Sequence, residues 1–262
     1  MSDILKNLSV IVPIAPNEMA WIHLIHDFMI FPKETEILFV GTKRPEHTLP
    51  ENVIWIDSQP GRAIQMNQGA SVAKNDFLWF VHADSRFTAK TIPTIESSLK
   101  HYPQALHYFR LQFLQDGHPL MFMNEIGCRI RSELLNIPFG DQGFCLSREA
   151  FDLIGGFPEN IEYGEDHVFV WRARQRGIKL RCTRAILKTS ARKYREFGWL
   201  KTTLLTHKLW TKQARSERKI LKEIQSGQTT ALAIFVKTPG LTPLKTRLAK
   251  TIGNEAALKF YR

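Results

Sequence analysis

Four short apolar runs near the start of the chain narrow its fold more than any other feature: residues 9–14 (SVIVPI), 36–40 (EILFV), 53–56 (VIWI) and 77–81 (FLWFV). They are rich in β-branched and aromatic residues and are closed by proline, glycine or a polar residue. They are nearly continuous rather than alternating, which is the pattern of strands covered on both faces. Between them lie helix-like segments at 18–31, closed by Pro32, and at 61–73. Strands that alternate with helices predict an α/β domain with a mostly parallel central sheet flanked by helices. In such sheets ligands sit beyond the carboxyl ends of the strands. That rule selects residues 15–18, 41–44, 57–62 and 82–86.

After Arg86 the pattern changes. Residues 105–113 read as a strand, 119–135 as a helix ending before Pro138, and 144–146 as a short strand. Ser147 can cap a short helix that stops at Gly155-Gly156. Residues 165–176 form a helix that opens with Glu165 and Asp166, at the favourable end of its dipole. Strands are expected at 178–182 and 185–188, then a long basic amphipathic helix, or pair of helices, over 197–224. The polar stretch QSGQTT at 225–230 reads as a linker.

The chain has 262 residues, 44% of them hydrophobic and 23% charged, which excludes disordered and collagen-like classes. Its three cysteines form no CxxC pair, so a disulfide framework or zinc ribbon is not expected and a reducing compartment fits. Asp3, Pro13 and Pro16 break the N-terminal apolar run, which does not read as a signal peptide, and no apolar stretch is long enough to span a bilayer. The predicted location is cytoplasmic.

The formal net charge of +11 is uneven. Residues 1–170 carry 13 Lys and Arg against 21 Asp and Glu; residues 171–224 carry 17 against 3; residues 225–262 carry 6 against 1. The basic character therefore belongs to one segment, whose candidate partners are nucleic acid, anionic lipid and phosphorylated substrates. A solvated helical face would also account for it, and is the commoner origin of such charge runs.

Three groups of residues carry chemistry. His82-Ala83-Asp84 follows directly on FLWFV. A carboxylate there can hold Mg²⁺ or Mn²⁺ bridging to a diphosphate, or can simply end the strand. Gly61-Arg62 opens a helix at the carboxyl side of a strand, where phosphates are held, and Asn67, Gly69 and Ala70 let that helix pack closely. Gly140-Asp141-Gln142-Gly143 and Glu165-Asp166 supply further carboxylates; Glu165 suits helix capping and Asp166 suits a general base.

In this order, SVIVPIAPNE, GRAIQMNQGA, FLWFVHADS, GDQGFCLSREAFDLIGGFPE and EDHVFVWRARQRG resemble family 2 glycosyltransferases with a GT-A fold. The likeness is nearest to a bacterial subgroup with His-Ala-Asp in place of Asp-x-Asp, and spans roughly residues 8 to 212. The resemblance implies a metal-assisted transfer of sugar, with inversion, from a nucleoside diphosphate sugar, most often a UDP-sugar, to an acceptor hydroxyl. It places Pro13, Asn17, Glu18, Arg62, Asn67, His82, Ala83 and Asp84 around the donor, Asp84 and His82 on the metal, and Asp166 as the catalytic base. Asp141 and Gln142 are expected to contact donor or acceptor, or else to shape a loop; Arg192 and Tyr194 to close over the diphosphate, or else to be surface residues.

Two departures follow. The second strand runs into Gly41-Thr42-Lys43-Arg44, without the family's base-reading Asp, and His82 replaces the first metal-site Asp. Imidazole ligates Mn²⁺ more readily than Mg²⁺, so weak binding tilted toward Mn²⁺ is predicted. Residues 231–262 resemble the first strand–helix unit of a second, nucleotidyltransferase-like domain, too short to bury a core alone. The predicted organisation is thus a glycosyltransferase domain over 1–224, a linker at 225–230 and a truncated unit at 231–262.

In the 197–224 helix, Trp199, Leu200, Leu204, Leu205, Leu209 and Trp210 stand among seven cations, so it can lie on an anionic membrane at the inner face of the cell, or pack on the domain with its cations in water. The acceptor is then a glycan, a lipid or a small molecule. Three other functions compete: a catalytically silent nucleotide-sugar binder, kept open by the Gly41 and His82 departures; a nucleic-acid-binding module, which lacks any recognisable motif; and nucleotidyl transfer, which would need more of the second domain than residues 231–262 supply.

Overall fold

The computed structural model of the chain describes residues 3–226. In chain order the elements are α1 (Asp3–Lys6), β1 (Leu8–Ile14), α2 (Trp21–Phe28), β2 (Glu36–Gly41), β3 (Val53–Asp57), α3 (Arg62–Val72), β4 (Phe77–Phe80), α4 (Thr91–His101) and β5 (Leu106–Phe113). Then come α5 (Met121–Arg129), a π-helical turn (Ile130–Leu134), a 3₁₀ turn (Gly140–Gln142), β6 (Phe144–Ser147), α6 (Arg148–Ile154), α7 (Glu165–Gln175), β7 (Leu180–Thr189), α8 (Arg192–Glu196) and α9 (Trp199–Gln225).

The strands form one sheet in the order β3-β2-β1-β4-β6-β5-β7. β1, β2, β3 and β4 run parallel. β6 is antiparallel to both neighbours, and β7 is parallel to β5. The apolar runs are continuous because apolar layers cover both faces. Along β1, Val10 and Val12 enter one layer, with Trp21, Leu24 and Phe28 of α2 and Ile95 and Leu99 of α4. Ile11 enters the other, with Met66 and Ala70 of α3, Phe151 of α6 and Phe169 of α7. α3 lies close to the sheet because Gly69 has no side chain: a Cβ there would sit 2.5 Å from Ile11 Cγ2.

The antiparallel β6 decides where the site forms. Its register pairs Phe144 with Phe80 and Ser147 with Phe77. The loop preceding β6 therefore meets the end of β4. β5 and β7 run the same way as β4, so the end of β7 reaches that edge as well.

Several predicted elements change shape. The helix expected at 119–135 is α5 followed by the wider π turn. The strands expected at 178–182 and 185–188 are one strand, β7, which absorbs Arg184 at φ 63° and a register shift against β5. The helix expected from 18 starts only at Trp21, because Asn17 is left-handed at φ 61° and Glu18 Oε1 accepts from the Ala20 amide. α4 and α8 had no sequence counterpart. α9 runs through Gln225, the first residue of the expected linker; the rest of that linker from residue 227, and the unit expected at 231–262, lie outside the described residues.

Candidate active site

Beyond the ends of β4 and β7 lies a cavity of about 470 Å³. Arg62, His82, Asp84, Asp141 and Asp166 line it, joined by Thr189 at the end of β7, by Ser190, Arg192 and Lys193 just after it, and by Thr206, Leu209 and Trp210 of α9. A smaller cavity of about 220 Å³ adjoins it, sharing Arg62, His82 and Asp84 and adding Pro13, Glu18, Gly61 and Ala83. A third, of about 440 Å³, is lined by Asn17, Glu18, Trp21 and residues 42–47. The carboxylates after β4 and at the tip of α7 thus open onto one space.

Asp166 stands in the first turn of α7 and is buried. Its Oδ2 accepts from the Gly140 amide at 2.6 Å, and its Oδ1 from the His167 amide at 2.8 Å. Burial works to raise its pKa; the Arg62 guanidinium and the Gly140 amide outweigh that and hold the carboxyl below its usual range. Arg62 donates to Glu165. Burial opposes the charge on Arg62, but Asp166 and Glu165 more than compensate, so its pKa is raised.

His82 Nε2 turns toward the same spot: a methyl added at Gly140 would lie 3.1 Å from Asp166 Oδ2 and 3.2 Å from His82 Nε2. Burial, and then the Arg62 charge, lower the His82 pKa from 6.5 to about 3, so the ring is neutral. Asp84, across the cavity, accepts from Thr189 Oγ1 at 3.2 Å. Burial raises its pKa, with Arg192 and Thr189 opposing. Asp141 is raised for the same reason, against Arg131 and Lys193, and its buried Oδ1 has no hydrogen-bond partner among the described residues. Glu18 pairs with Arg192 across the site; burial would raise its pKa, but that ion pair lowers it.

Among the described residues no group of three or more His, Cys, Asp or Glu side chains is placed to hold a metal ion. The donor chemistry fits a different arrangement. Asp84 is a carboxylate whose charge burial disfavours, beside open space and with one hydroxyl donor, and a cation would relieve it. Mg²⁺ and Mn²⁺ commonly take one or two carboxylates and complete their shells with substrate phosphates.

Two expected site residues lie elsewhere. Asn67 bonds Phe157 through its amide N and O, and Glu159 through N, so it ties α3 to the loop after α6 rather than lining the cavity. Gln142 is buried; it donates to Phe109 O and accepts from the Phe139 amide, holding the 3₁₀ turn. Tyr194 is likewise buried, edge-on to Phe113, while Arg192 lines the cavity. Sequence reasoning assigned no role to Thr189, Lys193, His167 or Gln213, which also line it. Trp171 Nε1 donates to His167 Nε2 at 2.9 Å and His167 Nδ1 faces Gln213 Oε1 at 2.6 Å, so α7 and α9 are locked together beside Asp166. The strand rule extended to the end of β7 reaches Thr189 and Lys193, but it needs the strand's direction, which the sheet supplies.

No protein-family model matches the chain, and no curated protein matches it in sequence. Solved structures do. The Staphylococcus aureus TarS fragment 1–349 is 18% identical over 70% of this chain and 60% of its own, with a TM-score of 0.54. The same fragment in complex with UDP-GlcNAc gives 0.51, over 70% and 58%. The mannosyltransferase PcManGT from Pyrobaculum calidifontis, in complex with GDP-Man and Mn²⁺, is 18% identical over 70% and 56%, with a TM-score of 0.51. The chain spans less than two thirds of the length of each. The likeness establishes the fold, a GT-A-like α/β sheet flanked by helices.

Proposed function

We propose that the chain is a family 2-type glycosyltransferase that moves a sugar from a nucleoside diphosphate sugar, a UDP-sugar first among them, to an acceptor hydroxyl. The observation that carries this reading is the shared cavity: Asp84 and Asp166 both line it, with Arg62, Arg192 and Lys193 on its walls. The similar structures solved with UDP-GlcNAc and with GDP-Man and Mn²⁺ make the same donor class the natural one to test.

In this reading the donor's phosphates lie toward Asp84, Arg192 and the smaller cavity at Pro13, Glu18 and Ala83. A divalent cation held by Asp84, with the neutral His82 imidazole as a second ligand favouring Mn²⁺ over Mg²⁺, would offset the phosphate charge and favour departure of the diphosphate. Asp166, kept ionised by Arg62 and the Gly140 amide, accepts the acceptor's hydroxyl proton. The hydroxyl oxygen bonds to the anomeric carbon as the bond from that carbon to the diphosphate oxygen breaks. Attack opposite the leaving group inverts the configuration. The neutral His82 ring faces Asp166 without competing for Arg62, and Arg62 and Lys193 are placed to meet developing negative charge. Asp141, which lines the cavity, stands where its carboxyl can meet a sugar hydroxyl.

UDP release from UDP-GlcNAc with Mn²⁺, across a panel of acceptors, tests the reading. Asp166→Asn is expected to lower turnover by roughly 10² to 10⁴-fold while donor binding persists. Unchanged turnover would remove Asp166 from the mechanism. Donor binding with no turnover in the unsubstituted chain would instead identify a silent nucleotide-sugar binder.

A further inference from the structure

α5 and the π turn after it are packed on one side only. Met121, Arg131 and Ser132 are buried, and Glu125 accepts from the Phe113 amide at 2.7 Å. The outer side carries Phe122, Ile126, Ile130 and Leu134, four residues apart, and Met123 beside them, each at least half exposed. Asn124 fastens this element to α9, accepting from Trp199 Nε1 at 2.7 Å and donating to Thr203 Oγ1 at 3.1 Å. Around that joint α9 exposes Leu200 and Leu204 as well. Large apolar side chains concentrated on two joined helices exceed the scattered exposure usual for a soluble surface.

The charges nearby indicate what covers them. Lys201, Lys208 and Lys212 of α9 and Arg129 of α5 are exposed, within a region where cations outnumber acids 17 to 3 over residues 171–224. A second copy of the chain would bring the same positive charge. Residues 225–262 carry 6 cations and 1 acid, so they bring no complementary charge either. Nucleic acid would meet the cations, but of this row only Phe122 offers a ring for a base to stack on, and the aliphatic remainder does not serve it.

We infer that the outer face of α5 and the first turns of α9 dock on an anionic phospholipid bilayer, with the aliphatic residues in the interface and the lysines at the headgroups. Because Thr206, Leu209 and Trp210 of the same helix line the 470 Å³ cavity, docking sets that cavity beside the lipid surface. On the transfer reading above, its acceptor is then presented from the membrane.

The test is co-sedimentation of the full chain with vesicles of phosphatidylcholine alone and of phosphatidylcholine mixed equally with phosphatidylglycerol, at low and high salt. The expected result is binding to the anionic vesicles, weakened by salt, and about tenfold less to the neutral ones. Ile126→Asp with Ile130→Asp should lower binding about tenfold or more, since both side chains leave the interface for water. Lys201→Glu with Lys208→Glu should lower only the anionic component. All four positions are exposed and outside the cavity, so melting temperature and nucleotide-sugar turnover in solution should stay unchanged, which keeps a failure here distinct from a failure of the transfer reading. No binding to anionic vesicles, or equal binding by the aspartate variant, overturns the inference. So does a dimer in sedimentation equilibrium that the aspartate variant dissociates without any vesicle binding, which would make the face an interface between copies.

Discussion

Gly140→Ala probes the candidate base without touching its chemistry. The Gly140 backbone lies outside the left-handed region, so alanine is conformationally acceptable there. Its methyl, however, would lie 3.1 Å from both Cβ and Oδ2 of Asp166 and 3.2 Å from His82 Nε2. Comfortable carbon contacts need about 3.5 to 4.0 Å, so the carboxylate and the ring must retreat by a few tenths of an ångström or more. The 2.6 Å bond from the Gly140 amide to Asp166 must stretch or tilt with them. Overpacking costs about 1 to 3 kcal/mol, and the less flexible unfolded chain returns about 0.4 to 1 kcal/mol. The net loss is about 0 to 2.5 kcal/mol, a fall in melting temperature of at most about 10 °C for a domain of this size. A base displaced by up to about 1 Å can lose up to about 10²-fold in rate. The expected outcome is therefore kcat lower by about 10 to 100-fold with the donor's KM nearly unchanged, read by UDP release well below the melting temperature. Gly127→Ala, whose methyl meets nothing within 4 Å, is the control and should retain full turnover. Full activity in Gly140→Ala would show that the placement of Asp166 does not limit the reaction.

Three further outcomes follow. In calorimetry, Mn²⁺ should tighten UDP binding by about tenfold in the unsubstituted chain and not in Asp84→Asn; equally tight binding with and without metal refutes a cation at Asp84. His107 is fully buried, and burial chiefly, with some help from Arg181, lowers its pKa from 6.5 to about 4. The unfolded chain takes up that proton near pH 6.5 and the folded chain only near 4, so stability present above pH 6.5 declines through this window, by about 2 kcal/mol at pH 5; denaturant titrations at pH 7.5 and 5 should show His107→Gln losing less by that amount. Gly69→Ala would set a methyl 2.5 Å from Ile11 Cγ2 and 3.1 Å from Val40 Cγ2, and should lower the unfolding free energy by about 1 to 3 kcal/mol, with a stability gain counting against the tight α3–sheet contact.

The parallel half of the sheet was legible because each of its strands announces itself locally: β1 through β4 coincide with apolar runs to within a residue or two. The residues after those strands were legible for the same reason, and Pro13, Glu18, Arg62, His82, Ala83 and Asp84 all line the two joined cavities. Asn67 carried the same local signal, yet its side chain is spent on Phe157 and Glu159, because a helix shows its spacing in sequence but not which loop it meets. Likewise, the bend at Arg184 that joins two short apolar runs into β7 is set by pairing with β5, a partner distant in the chain.

By itself, the sequence determined the α/β class, the succession of strands and helices along the first 80 residues, the unequal charge, and the carboxylates available for chemistry. These depend on properties of neighbouring residues: apolar runs, breaks and composition. Only the tertiary structure decided that Asp84, Asp141 and Asp166 share one cavity, because that depends on β6 running antiparallel to β4, which folds the 140–142 turn back to the carboxyl edge. It also decided the protonation of the site. Whether a carboxylate or imidazole keeps its charge is set by burial and by the cations packed beside it, and Arg62 reaches Glu165 and Asp166 across about a hundred residues of chain.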